Sequence, residues 1–207
     1  FRMNLNQQSA GRFWRTHKTL METTSPIVDC GVHYVDVMCQ ITDAKPVQVR
    51  GMGVRLSDEI ASDMYNYGHL QVMFDDGSVG WYEAAWGPMI SETAFFVKDI
   101  MTPKGSVSIV MDEGAKSSDH ETHTKTDRIR IHRADLGGDG EFIHEDEMLS
   151  MDGEPGHDAL CAREQDYVYR AITEDVDLGR HMSDAVQSLR ICLAADESIK
   201  TGKPVDL

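Results

Sequence analysis

Residues 64–75 and 78–86 alternate apolar and polar side chains, and Asp75-Asp76-Gly77-Ser78 joins the two stretches. A period of two sends successive side chains to opposite faces, and the glycine supplies the positive φ that a tight reversal needs, so this is a β-hairpin. A hairpin in mid-chain commits its surroundings to an antiparallel sheet. The same alternation runs through residues 45–56, around 93–100 and 105–111 (with Pro103-Lys104-Gly105 as the turn), and from Asp127 to Arg133. Residues 1–8 alternate weakly and read as a further strand. Residues 9–24 are polar apart from Phe13 and Trp14 and read as a loop. Helical spacing replaces alternation in three places. Residues 26–41 follow Ser25 as N-cap and Pro26 as first helical residue. Leu160, Cys161, Glu164, Val168, Ala171 and Ile172 recur at helical intervals. So do Met182, Val186, Leu189, Leu193 and Ile199, with a start near Ser183 and a stop at Gly202. Strands followed by helices predict an α+β fold: one domain over residues 1–207, with an open, mainly antiparallel sheet and helices on one face.

The chain has 207 residues and a net charge of -15. That charge argues against nucleic acid and against anionic membrane surfaces as partners, because both require clustered Lys and Arg. No apolar run approaches the length of a membrane span. The four cysteines, Cys30, Cys39, Cys161 and Cys192, are irregularly spaced and three lie in apolar helical patterns. This predicts free thiols in a reducing compartment, hence a cytoplasmic location. Strand-like alternation is already under way at Phe1, Met3 and Leu5, so the chain reads as a fragment of a longer polypeptide.

The chemistry concentrates on the 26–41 helix. Asp29, His33 and Asp36 fall at i, i+4 and i+7, one face of a helix, while Ile27, Val28, Val32, Val35, Met38 and Cys39 can bury the other. Imidazole titrates near neutrality and suits a general acid/base, so His33 is the expected proton-transfer residue. Asp29 is expected to hydrogen-bond substrate or to orient the imidazole. Asp36 reads as a structural acid holding a loop or neighbouring strand. A metal shared by Asp29 and His33 lacks an evident third ligand, so no metal is expected. Asp119-His120-Glu121-Thr122-His123 reads as a solvated loop. Asp135-Leu136-Gly137-Gly138-Asp139-Gly140, with Asp146, outlines a calcium loop, but has Gly at position three and Asp at position twelve, and reads as a turn. His69, Trp81, Tyr82 and Trp86 lie on the hairpin, where aromatic rings either line a sugar pocket or form a contact between subunits.

Three passages resemble the C-terminal domain of the Gfo/Idh/MocA oxidoreductases. Asp29-Cys30-Gly31-Val32-His33-Tyr34-Val35-Asp36 resembles that family's D-x-G-x-H-x-x-D helix. The strand series with Phe74-Asp75-Asp76-Gly77-Ser78 resembles its sheet. Ser188-Leu189, Ala194-Ala195, Glu197-Ser198 and Thr201-Gly202-Lys203-Pro204-Val205 resemble its closing helix and tail. The resemblance implies a glyceraldehyde-3-phosphate-dehydrogenase-like C-terminal domain of a two-domain dehydrogenase that uses NAD or NADP on a sugar, cyclitol or similar polyol. It implies His33 and Asp29 as catalytic residues and substrate contacts at Arg12 and His17; Trp86, through its aromatic face, is a further expected substrate contact, and Gly31 is the expected point where the helix nears the cofactor. An antiparallel sheet covered by helices on one face leaves its other face to be buried, so a homodimer or homotetramer through that sheet face is expected. The family's Glu-Lys-Pro lysine and Gly-x-Gly-x-x-Gly loop belong to a preceding dinucleotide-binding domain, and neither motif occurs in this sequence. The chain alone is therefore expected to be inactive. A non-catalytic binding or assembly module that kept the fold is the alternative.

Overall fold

The computed structural model describes residues 1–91, 96–111 and 126–207. The Asp119–His123 cluster lies outside the described residues. The chain divides into two compact units, Phe1–Phe96 with Gly179–Leu207, and Val97–Leu178.

In the first unit, strands β1 (Arg2–Gln8), β2 (Pro46–Val54), β3 (Tyr67–Phe74), β4 (Val79–Gly87) and β9 (Val205–Asp206) form a sheet in the order β1-β4-β3-β2-β9. β1 runs parallel to β4, and the remaining pairs are antiparallel. The β3–β4 turn closes as its sequence requires. Gly77 has φ 85°, and Asp76 Oδ1 accepts from the Ser78 amide at 2.8 Å. Helices α1 (Gly11–Leu20), α2 (Pro26–Ile41) and α4 (Gly179–Thr201) complete this unit. Met3, Leu5, Val49, Leu70, Val72, Phe74, Tyr82 and Trp86 point from the sheet into a core shared with Ile27, Val35 and Met38 of α2 and Ile191, Cys192 and Ala195 of α4.

Helix α2 has the predicted bounds. Ser25 Oγ accepts from the Val28 amide at 3.1 Å, and Pro26 occupies the first turn, where its missing N–H costs nothing. Helix α1 corrects the loop expected over residues 9–24. No side chain caps its start at Ala10, so the local start signal is missing. Tertiary packing supplies the stabilisation: Trp14 and His17 are buried, and the His17 ring stacks on Trp86 at 4.3 Å between centroids.

Helix α4 corrects a second expectation. Its buried face is Ser188, Ile191, Cys192, Ala194, Ala195 and Ser198. The larger apolar row faces outward, with Met182 63%, Val186 64% and Leu193 52% exposed. The reason is close approach to β2. The Gly51 amide donates to Ser198 Oγ at 3.0 Å, and a Cβ on Gly51 would collide with the Ala195 carbonyl oxygen. Only small side chains on both partners allow that spacing, so the small face is selected over the bulky one. Gly202, at φ 70°, ends the helix as expected.

The second unit holds the antiparallel meander β5 (Phe96–Thr102), β6 (Gly105–Val110), β7 (Arg128–Arg133) and β8 (Glu147–Ser150), followed by helix α3 (His157–Thr173). Ile129 pairs with both Ile109 and Leu149, which gives the three strands a common apolar row. Residues 135–140 close as a turn: the Gly140 amide donates to the Gly137 carbonyl at 3.0 Å, and the Glu141 amide to Asp139 Oδ1 at 3.1 Å. The apolar periodicity of α3 translates into burial only at Ala171, and Ile172 is 77% exposed. The four cysteines are free thiols, three of them buried. No described helix is long and apolar enough to cross a membrane.

Gly51→Ala should destabilise the protein by about 1–3 kcal/mol, since the added methyl must separate α4 from β2. Denaturant unfolding checks this, and an unchanged midpoint would contradict the close approach.

Candidate active site

Helix α2 has two faces with different fates. Cys30, Gly31, Tyr34, Met38 and Cys39 turn inward, where the Tyr34 ring stacks on Tyr82 at 4.9 Å. Asp29 and Asp36 are half-buried and His33 is exposed. The helix thus presents its acid–imidazole–acid row away from the core. Gly31 belongs to the inward face. A Cβ there would sit 3.1 Å from the Tyr82 ring and 3.3 Å from Cys192 Sγ, so the missing side chain accommodates the sheet and α4.

The start of α2 is tied down from a distance. Ser25 Oγ, besides capping the helix, donates to Asp196 Oδ1 of α4 at 2.9 Å, and the Tyr65 hydroxyl donates to the same oxygen at 2.5 Å. Burial raises the Asp196 carboxyl above its ordinary range, and the hydrogen bonds from Tyr65 and Ser25 pull against that rise. Asp29 lies one turn beyond this tie. Its Oδ2 accepts from the Cys30 thiol at 3.6 Å, and burial followed by the Asp29 charge raises that thiol far above its usual range.

His33 opens onto a groove of about 560 Å³ between α2 and α4. Val32, His33, Asp36 and Gln40 form one wall; His181, Asp184, Ala185, Ser188 and Leu189 form the other. Asp36 accepts from Gln40 Nε2 at 2.5 Å, one turn along its own helix. This corrects the expectation that Asp36 holds a loop or neighbouring strand. Neither Asp196 nor the α4 wall was legible locally. The α4 wall residues lie about 150 positions from α2 along the chain and are brought beside it by the antiparallel crossing of the two helices.

The remaining predicted positions lie elsewhere. Arg12 is exposed on α1, beside a separate depression lined with Arg15 and Thr16. His17 is buried with Nδ1 at 3.1 Å from Ser9 Oγ. Trp86 is buried and its indole N–H donates to Gln7 Oε1 at 2.7 Å. None of the three lines the groove that carries His33. Tyr82 also faces the core, whereas His69 and Trp81, 6.4 Å apart, share the opposite face of the sheet. Among the described residues, no group of three or more His, Cys, Asp or Glu side chains is placed to hold a metal ion.

Residues 1–97 match the model of the GFO/IDH/MocA C-terminal domain. That match covers 97 of the chain's 207 residues. Solved structures extend the likeness of fold to the rest of the chain. The aldose–aldose oxidoreductase from Caulobacter crescentus, complexed with glycerol, is 15% identical with TM-score 0.70; it covers 100% of this chain and 54% of its own. The myo-inositol 2-dehydrogenase from Lactobacillus plantarum is 19% identical with TM-score 0.64, covering 100% and 56%. The scyllo-inositol dehydrogenase from Lactobacillus casei, with bound NAD(H) and scyllo-inositol, is 15% identical with TM-score 0.64, covering 99% and 55%. This chain therefore spans about half the length of the structures it resembles. No curated protein matches it by sequence. The α+β fold with an open, mainly antiparallel sheet is the GFO/IDH/MocA C-terminal domain fold.

Asp196→Ala should cost about 1–3 kcal/mol, because two buried hydroxyls lose their acceptor. Asp196→Asn keeps an oxygen at Oδ1 and should be tolerated. The raised carboxyl means that the folded state holds its proton more tightly than the unfolded chain. This contribution to stability is complete below the ordinary carboxylate range and is lost as pH rises through the raised value. Asn has no charge to bury, so Asp196→Asn should gain on the parent as pH rises from acid to neutral. Thermal melts across that range check the sign.

Proposed function

We propose that this chain is the substrate-binding, catalytic-residue-bearing half of an NAD- or NADP-dependent oxidoreductase acting on a sugar, cyclitol or similar polyol. The observation that supports it is the exposed His33 imidazole, facing a groove from the same helix row as Asp29. Oxidising an alcohol removes a hydride from carbon and a proton from the attached oxygen. NAD or NADP, when bound, supplies the hydride acceptor. His33 takes the hydroxyl proton and returns it in the reverse reduction. Asp29, one turn earlier, accepts a hydrogen bond from the reacting hydroxyl or from the imidazole and so sets its orientation. The donor set on α2 fits this proton-transfer half of the reaction, and the chain carries no glycine loop for a pyrophosphate. Dinucleotide binding is accordingly assigned to a partner domain in the longer polypeptide.

The sheet face opposite the helices supports self-association. His69 and Trp81 lie on it beside Met52 and Met73, which are 54% and 48% exposed. Aromatic and methionine side chains of this kind are enriched in the centres of interfaces. We assign this face to a homodimer or homotetramer. Reduced thiols and net acidity support a cytoplasmic setting.

In the polypeptide joining this chain to its dinucleotide-binding half, His33→Ala should reduce turnover by a factor of about 100 to 10,000 while cofactor binding persists. Undiminished turnover would remove the proton-transfer role and favour a non-catalytic module. Sedimentation of the chain should give dimers or tetramers that Trp81→Glu converts to monomers. A parent that stays monomeric at high concentration would refute the assembly.

A further inference from the structure

Resting on the assignment of Asp29 and His33 above, we propose that Cys30 is a positioning residue for the reaction. Its thiol holds one oxygen of the Asp29 carboxylate and so aims the other at the reacting hydroxyl or at the imidazole. Asp29 lies in the first turn of α2, where a carboxylate is also drawn to the free amides of the helix start. Its terminal torsion is broad, so without a tether its two oxygens sample many directions. The tether is the neighbouring side chain. Cys30 Sγ donates to Asp29 Oδ2 at 3.6 Å, and among the described residues Oδ1 has no protein partner.

The thiol has one proton and two acceptors within reach. Gln7 Oε1 on β1 lies 3.8 Å away, but it already accepts from the Trp86 indole N–H at 2.7 Å. Asp29 Oδ2 is nearer and carries charge, so it takes the proton. Gln7 and Trp86 are register partners on the parallel strands β1 and β4, and the Trp86 ring stacks on His17. The sulfur is therefore seated against the sheet, and Asp29 is fixed relative to that seat instead of following solvent. Cys30 is 9% exposed and forms no disulfide. Burial, followed by the Asp29 charge, pushes the thiol well above its usual range, which keeps the donor protonated. A serine hydroxyl also donates, but in a helix it divides its proton between such an acceptor and the carbonyl one turn earlier, here that of Pro26.

The first test is spectroscopic and uses the 207-residue chain. Side-chain NMR couplings of Asp29 should report a single rotamer in the parent, averaging in Cys30→Ala, and a retained rotamer in Cys30→Ser. Cys192→Ala removes a thiol that is equally buried but has no bond to Asp29, and should leave the couplings unchanged. The second test uses the polypeptide joining this chain to its dinucleotide-binding half, with myo-inositol or D-glucose as substrate. Cys30→Ala should lower kcat about tenfold, and Cys30→Ser should return it to within about threefold of the parent. Asp29→Ala combined with Cys30→Ala should be no slower than Asp29→Ala alone, because the thiol acts only through that carboxylate. A fixed Asp29 rotamer in Cys30→Ala, or losses that multiply in the double variant, overturns the role. If Asp29→Ala slows turnover and Cys30→Ala does not, the tether falls and the assignment of Asp29 stands. If Cys30→Ala frees the rotamer but Asp29→Ala leaves turnover intact, Cys30 does orient Asp29 and it is the catalytic assignment that falls.

Discussion

The close seating of α4 on β2 is the constraint from which the rest of the first unit follows. Gly51 and Gly53 remove side chains from the strand, Ala195 and Ser198 keep those of the helix small, and the Gly51 amide finds its partner in Ser198 Oγ. A buried backbone N–H left unpaired would be costly, so this bond couples distance and register at once. With α4 fixed, Asp196 falls opposite Ser25 and Tyr65, and the first turn of α2 is anchored to a helix 171 residues away in sequence. The position of the candidate catalytic row thus depends on packing between small residues well away from it.

That arrangement also divides α2 between two tasks. Its inward face holds Tyr34 on Tyr82 and leaves room for the ring at Gly31. Its outward face carries groups whose reactivity requires solvent or a ligand. A helix rigidly packed on one side is a precise platform for the other, because rotation about its axis would expose apolar area and bury charge. The groove beside His33 exists because α4 crosses α2 as an antiparallel neighbour, tied at one end through Asp196 and placed near the other through Arg180 and Asp43.

Much of this was legible in local sequence, for identifiable reasons. Ser25-Pro26 marked the start of α2 because capping is local chemistry, and the 75–78 turn was evident because Gly77 must take positive φ. The acid–imidazole row followed from helical spacing alone. Helix α1 was missed because it has no capping side chain and is stabilised by Trp86, some seventy residues away. The buried face of α4 was misassigned because hydrophobicity ranks Leu189 and Leu193 above Ala195 and Ser198. What decided the orientation was the missing side chain of Gly51.

The sequence by itself determined where α2 starts, where the β3–β4 hairpin turns, which helix carries Asp29 and His33, and the acidity that disfavours anionic partners. Those properties come from side chains close along the chain or from their sum. Only the tertiary structure decided that α4 turns its small face inward, that Asp196 anchors Ser25, that Trp86 and His17 bury each other, and that His181 and Asp184 stand across from His33. These are contacts between distant segments, set by steric fit and by the need to pair buried polar groups, and no local pattern encodes them.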